Sequence, residues 1–285
     1  MSKYACSVCG KETGLNFQEG AWYCCDCLTR RPRSSFSNSV FEGIKGLFGP
    51  PDVKKLTKRR NIEKLLKILK HDKSPQIRGE AAIALGKIGK TPVLEDLREA
   101  LKDSDLDVRQ WADWALQEVV ARSLSTFTGS YERDRKPALA LVGALRDISG
   151  EWVVEALLDV IRRLDFAEVN NKAGEALCAI GGETVMVRLT QSLKDPNNGL
   201  RRSAALTLGK IGGERALVAL TEALEDRDVL VRRYAVHALL EIGGEGAVRA
   251  LMQALKDAEQ KVRDESVEAL LKIGGGRQVE ILGAC

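Results

Sequence analysis

The chain has 285 residues, of which 44% are hydrophobic and 29% charged, with a formal net charge of +4. This is ordinary composition for a soluble protein. No apolar run approaches the length of a membrane span and no signal peptide is recognisable, so we expect a cytoplasmic protein without a transmembrane segment. Residues 1–60 hold 11 Lys or Arg against 5 Asp or Glu, which predicts that any basic contact surface lies at the amino end.

Two cysteine pairs dominate the first 30 residues. Cys6 and Cys9 are separated by two residues, as are Cys24 and Cys27, and Gly10 follows the first pair. Four thiolates at this spacing suit a tetrahedral structural zinc site, which we predict to hold one Zn²⁺ in a module over residues 1–30 that resembles zinc ribbons and treble clefs. The intervening stretch predicts a short hairpin. A redox pair is the alternative, and Cys25 is an alternative ligand to Cys24.

Residues 31–56 have the Ser, Pro and Gly content of a linker. Within them, five apolar residues from Val40 to Phe48 have helical spacing. This amphipathic segment predicts a cap on the first repeat of the following domain. A membrane-surface contact is the alternative, because Lys45 and neighbouring basic residues accompany the apolar face.

The rest of the chain, residues 57–285, repeats one phrase. The stretch from Leu200 to Gly213 recurs from Val231 and from Val262, so that Arg201, Arg232 and Arg263 are 31 residues apart. A fixed period of this length indicates a stack of supersecondary units. Apolar residues fall at helical spacing in both halves of each unit, with an Asp-containing turn between the halves and Gly-Gly at the end. We therefore predict about seven helical hairpins.

These residues resemble short HEAT-like repeats of the phycobilin-lyase type. The resemblance lies in an Asp six residues before an Arg, followed by an Ala-rich helix that ends in Gly-x-Ile-Gly-Gly. It implies an all-α, right-handed α-solenoid in which the Asp and Arg side chains form a ladder between adjacent repeats. The pairs that keep this separation are Asp72/Arg78, Asp103/Arg109, Asp195/Arg201, Asp226/Arg232 and Asp257/Arg263.

The third repeat, at about 122–150, departs from the pattern. Ala138 occupies the Arg position, and residues 122–136 lack an apolar stripe. Such an interruption is typical of a bend or an insertion loop, and it divides the array into two blocks.

Functional residues in a repeat array are expected where the pattern is free to vary. In HEAT-like arrays the second helices line the concave surface, so the resemblance places the variable positions one, two and five residues after the Arg on the groove floor. Aromatic residues and arginines at these positions are the predicted contacts with a protein or peptide partner. They are Trp111, Trp114, Arg202, Arg233, Tyr234 and His237. For the two Trp residues the alternative is a packing role that covers the third repeat, and for His237 it is a solvated position without a ligand.

The sequence favours a non-catalytic scaffold over an enzyme. It has two His residues and neither a phosphate-binding glycine loop nor a nucleophile elbow. Two alternatives remain open. One is a nucleic-acid-binding protein that acts through the basic zinc-module end, and the other is a lyase-like assistant to chromophore attachment, for which Cys178 and Cys285 are the available thiols. Asp113 is the odd residue to test, because its position is held elsewhere by Ala82, Ala205, Val236 and Val267.

Overall fold

The computed structural model describes residues 52–148 and 150–274, together with two short strands near the amino terminus. The chain divides into two compact units, Met1–Pro50 and Pro51–Cys285. In the first unit, β1 (Leu15–Gln18) pairs antiparallel with β2 (Ala21–Cys24), in a register that places Leu15 opposite Cys24. The hairpin predicted between the two cysteine pairs is thus present. Cys6, Cys9, Cys25 and Cys27 lie outside the described residues.

The second unit is helical throughout its described residues. Its helices follow one another with short turns, in the order α1 (Val53–Lys58), α2 (Ile62–His71), α3 (Pro75–Ile88), α4 (Leu94–Ala100), α5 (Leu106–Thr126), α6 (Tyr131–Leu145), α7 (Glu151–Arg163), α8 (Ala167–Ile180), α9 (Gly182–Ser192), α10 (Asn198–Ile211), α11 (Glu214–Ala223), α12 (Val229–Ile242), α13 (Gly244–Ala254) and α14 (Gln260–Gly274). A 3-10 turn at Thr91–Val93 leads into α4. Among the described helices, none combines the length and apolarity needed to cross a lipid bilayer.

Each repeat is built from the local signals that the sequence carries. The second helix α10 begins at Asn197, whose side chain accepts a hydrogen bond from the Leu200 amide at 3.0 Å. It ends at Gly212, where φ is 70°, a left-handed value that costs little without a Cβ. Between these ends, Ala204 and Leu208 are fully buried. The caps and the apolar stripe together fix the length and orientation of the helix.

The array of helical hairpins confirms the predicted α-solenoid. Helices α2/α3, α4/α5, α7/α8, α9/α10, α11/α12 and α13/α14 form successive pairs that share one apolar core. Neighbouring second helices contact each other along much of their length, whereas neighbouring first helices touch at few points. The second helices therefore form the inner, concave side of the stack.

The third repeat contributes the single helix α6. Helix α5 continues to Thr126, beyond the point where the other second helices end, and α6 begins after a turn of four residues. Helix α6 packs mainly on α8, while α5 contacts α7 directly. Helices α5 and α6 touch at only a few residues, so the close contact between other consecutive second helices is missing between these two.

Helix α1 begins within the stretch 31–56, predicted to be a linker, and extends two residues beyond it. Its residue Val53 is buried, and the helix packs against both α2 and α3. The segment from Val40 to Phe48 lies outside the described residues.

Candidate functional site

Small residues allow adjacent second helices to approach closely. A Cβ on Gly86 would lie 2.8 Å from the Cα of Ala115, and one on Gly209 would lie 2.7 Å from the Cα of Ala238. Both separations are too short for real atoms, so only glycine permits this backbone contact. The contact fixes the spacing of the helices that form the groove floor.

The Asp and Arg ladder joins the same helices at their amino ends. Arg78 donates from Nε and Nη2 to Asp103 of the next repeat at 2.8 and 2.7 Å, and its Nη1 donates to the Asp72 carbonyl at 2.9 Å. Arg201 with Asp226 and Arg232 with Asp257 repeat this geometry. The bidentate bond raises the pKa of Arg78 and lowers that of Asp103.

The ladder is interrupted at the third and fourth repeats. Arg109 donates to the Asp103 and Ser104 carbonyls. Asp134 lies 25 residues later, the separation of the paired rungs, but it accepts four hydrogen bonds from Thr128, Gly129 and Ser130 instead. In the fourth repeat, Asn170 takes the Arg position and Asp195 is contacted by Arg162 from helix α7. The ladder therefore consists of two separate blocks.

The carboxyl-terminal block of the groove contains four of the predicted contact residues. Arg202 is paired with Asp165 at 3.0 Å. Arg233 donates from Nε to Oε1 of Glu265 at 2.9 Å, and this bond raises the pKa of Arg233. His237 is 53% exposed, and its Nε2 lies 3.6 Å from Oε2 of Glu265. This Oε2 is buried and has no hydrogen-bond partner among the described residues.

Tyr234 completes this end of the groove as a half-buried residue that packs on the core. The structure thus brings Arg233 and His237 together around the carboxylate of Glu265. Glu265 is not among the contact residues predicted from the sequence. The signal was present in the sequence, because Glu265 occupies one of the variable positions of the last repeat. Both arginines are already paired, so their guanidinium groups are held in a fixed orientation.

Trp111 and Trp114 lie in the amino-terminal block, on helix α5. Both are half-buried and pack against the core. A Cβ on Gly79 would lie 3.6 Å from Cδ2 of Trp111, so the indole covers the preceding second helix at a position without a side chain. The pair therefore combines packing with a partly exposed aromatic surface.

Asp113 connects this block to the fourth repeat. Its Oδ1 accepts a hydrogen bond from Nε1 of Trp152 at 3.2 Å, and its Oδ2 accepts one from Gln117 at 2.8 Å. Burial raises the pKa of Asp113, although both hydrogen bonds act in the opposite direction. The bond to Trp152 links α5 to α7 across the irregular third repeat. Sequence reasoning missed Trp152, since it lies on a first helix.

Two further expectations concern cysteines and metals. Cys178 is half-buried, with Sγ 3.9 Å from the Thr207 carbonyl, and burial raises the pKa of its thiol. A raised thiol pKa disfavours the reactive thiolate.

In residues 52–148 and 150–274, no three His, Cys, Asp or Glu side chains cluster as a metal site would require. Cys285 lies outside the described residues.

The repeat pattern also matches a known family. A family model described as HEAT repeats covers residues 62–146, 154–229 and 219–285. The chain belongs to the HEAT-repeat family. No curated protein matches the sequence significantly.

Solved structures that are similar to this HEAT-repeat chain include proteins of different kinds. Human deoxyhypusine hydroxylase in complex with glycerol is 26% identical, with coverage of 78% of this chain and 77% of that one and a TM-score of 0.37. The complex of CpcE and CpcF of phycocyanin lyase from Nostoc is 20% identical, with coverage of 83% and 92% and a TM-score of 0.30. A designed armadillo repeat protein is 18% identical, with coverage of 74% and 99% and a TM-score of 0.30.

Proposed function

We propose that this HEAT-repeat protein is a non-catalytic scaffold that binds a protein or peptide partner on its concave face. The single observation that carries the proposal is the arrangement of the variable positions on the second helices. They form a row of largely exposed or half-buried aromatic and charged side chains on a closely packed floor. Residues that are free to vary on a surface fixed by packing are suited to specific recognition.

The proposed contacts are the six residues Trp111, Trp114, Arg202, Arg233, Tyr234 and His237. Arginines held by Asp165 and Glu265 lose little side-chain entropy on binding, and aromatic side chains bury a large area with few rotatable bonds. Because Trp111 also packs over Gly79, its removal would disturb the fold as well as the surface. His237, which is 53% exposed, therefore provides the cleaner test.

The test uses a photo-crosslinking amino acid placed in the full chain. We expect crosslinking from position 237 on the concave side to capture a defined partner from an extract of the native host. The control position is Met252, which is 42% exposed on the first helix α13. Tyr234→Ala should reduce capture from position 237, and circular dichroism verifies the fold of this variant because Tyr234 also packs on the core. Equal capture from positions 237 and 252, or capture unaffected by Tyr234→Ala, would contradict the proposal.

As a second part of the proposal, Cys6, Cys9, Cys24 and Cys27 hold one structural Zn²⁺ in a module that adds a second contact. The spacing of four thiol donors supports it, together with the hairpin whose β2 ends at Cys24. Zinc binding would stabilise the fold of this module, because so short a segment buries little apolar surface by itself. We expect one zinc per chain by elemental analysis and a loss of that zinc in Cys6→Ser. Unchanged zinc content in this variant would exclude the assignment.

A further inference from the structure

Helices α1 and α2 carry an unusually basic surface. Residues 52–73 contain nine Lys or Arg side chains and three Asp or Glu. All nine basic residues are exposed, and we refer to them as the basic face. Among the described residues, only Lys70 of the nine has an acidic partner, Asp96 at 2.5 Å. The other eight create a concentrated positive potential at the amino end of the helical array.

The basic face borders an apolar groove between α1 and α2. Leu56 and Ile68 provide the apolar part of its lining, and Lys64, Lys67 and His71 are basic lining residues around a volume of about 380 Å³. Asp72 also lines the groove. Its Oδ1 accepts a hydrogen bond from the Ser74 amide, and its carbonyl accepts one from Arg78. The Asp72 carboxylate is therefore held by its own turn, and Lys64 and Lys67 outnumber it in the lining of the groove.

The turn between α1 and α2 maintains this groove at a conformational cost. Arg60 has φ of 50°, and it is the one residue other than glycine in the described chain with a positive φ. The Asn61 amide donates to the Leu56 carbonyl at 3.0 Å, and the Asn61 side chain caps α2 through the Lys64 amide at 3.1 Å. A left-handed conformation suits glycine better than arginine. The position nevertheless carries another cation of the basic face.

We propose that the basic face binds an acidic segment of a partner protein, with apolar anchor residues that enter the groove. Carboxylates of the segment would pair with Lys64 and Lys67, and one or two apolar side chains would pack on Leu56 and Ile68. This occupant uses both properties of the site, since charge complementarity orients the segment and burial of apolar area holds it. The interaction is separate from the concave groove and does not depend on the function proposed for it.

Two other anionic partners fit the site less well. Residues 52–73 contain no Phe, Tyr or Trp, so nucleic-acid bases would have only the His71 imidazole on which to stack. A phosphate backbone would also leave the apolar groove unused. An anionic membrane requires outward apolar residues, whereas every Val, Leu and Ile of α1 and α2 is buried or half-buried.

The probe is a fluorescently labelled synthetic peptide of repeated Glu-Glu-Leu triplets. The experiment titrates this peptide with the full chain and follows its fluorescence anisotropy. We expect saturable binding, which Lys64→Glu with Lys67→Glu weakens by at least about tenfold. Peptides of Gln-Gln-Leu and Glu-Glu-Ala triplets should each bind more weakly than the first. The matched control is Lys256→Glu with Lys261→Glu, which changes the net charge equally on exposed residues near the other end of the described array.

Circular dichroism verifies folding, and Lys64→Gln with Lys67→Gln provides a milder variant whose affinity should be intermediate. The proposal is overturned if the Gln-Gln-Leu peptide binds equally well or if the substitutions at 64 and 67 leave affinity unchanged. It is also overturned if single-stranded RNA or phosphatidylserine vesicles bind with dependence on these lysines while the acidic peptide does not.

Discussion

Arg201 and Asp226 form a bidentate pair between two consecutive repeats, from Nε to Oδ2 at 2.8 Å and from Nη2 to Oδ1 at 3.0 Å. The Arg201 side chain is only 4% exposed, and its Nη1 also donates to the Asp195 and Pro196 carbonyls. The Arg201 side chain thus donates hydrogen bonds to carbonyls in the turn of its own repeat and to a carboxylate in the turn of the next repeat. The pair couples neighbouring hairpins, and no backbone hydrogen bond joins such hairpins in the part of the chain that the structure describes.

Removal of Arg201 is expected to destabilise the array strongly. Arg201→Ala leaves Asp226 without its countercharge at a nearly buried position, and we expect the free energy of unfolding to fall by about 3 kcal/mol. Arg109→Ala is the matched control, because Arg109 makes the carbonyl bonds without a bidentate carboxylate among its described contacts. Its cost should be about 1 kcal/mol. Urea denaturation followed by circular dichroism measures both, and equal costs would show that the ladder contributes no coupling.

The ladder also predicts an acid-dependent stability. The bond from Arg232 lowers the pKa of Asp257 in the folded chain. The stability that the Asp257 carboxylate contributes is therefore fully present above its pKa in the unfolded chain, about 3.9. This stability is lost as the pH falls toward the lower pKa of the folded chain. Asp257→Asn should reduce the free energy of unfolding at neutral pH and converge with wild type as the solution is acidified through this range. A difference that stays constant with pH would contradict this assignment.

Two glycines in helix interiors should respond oppositely to substitution. Gly209→Ala forces a Cβ to within 2.7 Å of the Ala238 backbone, and we expect a loss of about 1–3 kcal/mol. Gly143→Ala on α6 meets nothing within 4 Å, so the higher helix propensity of alanine should stabilise the chain by about 0.5–1 kcal/mol. Thermal unfolding of the two variants tests the prediction. A stabilising Gly209→Ala would show that the second helices can move apart.

The left-handed residue between α1 and α2 gives a further stability prediction. Arg60→Gly relieves a conformation disfavoured for residues with a Cβ, and we expect a gain of about 1 kcal/mol in the free energy of unfolding. The same substitution removes one cation of the basic face, so affinity for the acidic peptide should fall slightly while stability rises. Arg59→Gly is the control, because Arg59 has φ of −83° and should lose stability instead.

The hydrogen bond between Trp152 and Asp113 can be tested by titration. Burial already raises the pKa of Asp113, and the indole N–H opposes this rise by stabilising the carboxylate. Trp152→Phe removes that donor, so the pKa of Asp113 should rise further. Carboxyl NMR titration of Asp113 in the two proteins measures the change. A fall in the pKa would show that the bond does not form in solution.

The sequence by itself determined the repeat architecture. The spacing of Arg201, Arg232 and Arg263, the Gly-Gly helix ends and the helical spacing of apolar residues indicate hairpins of fixed length. These signals act within one repeat, and each hairpin must cover its apolar face with the next, so period and pattern are sufficient to predict an α-solenoid. The resemblance to HEAT-like repeats likewise implied the ladder of Asp and Arg.

Only the tertiary structure decided how particular side chains meet across repeats. Asp134 stands at the ladder separation from Arg109, yet it bonds the Thr128–Ser130 turn because α6 begins before it and places it inside a helix. Trp152 reaches Asp113 because the third repeat lacks one helix, and Glu265 holds Arg233 from the neighbouring repeat. Such contacts depend on the relative placement of helices far apart in sequence. A repeat pattern specifies that neighbouring helices pack, but long-range geometry determines which polar groups become partners.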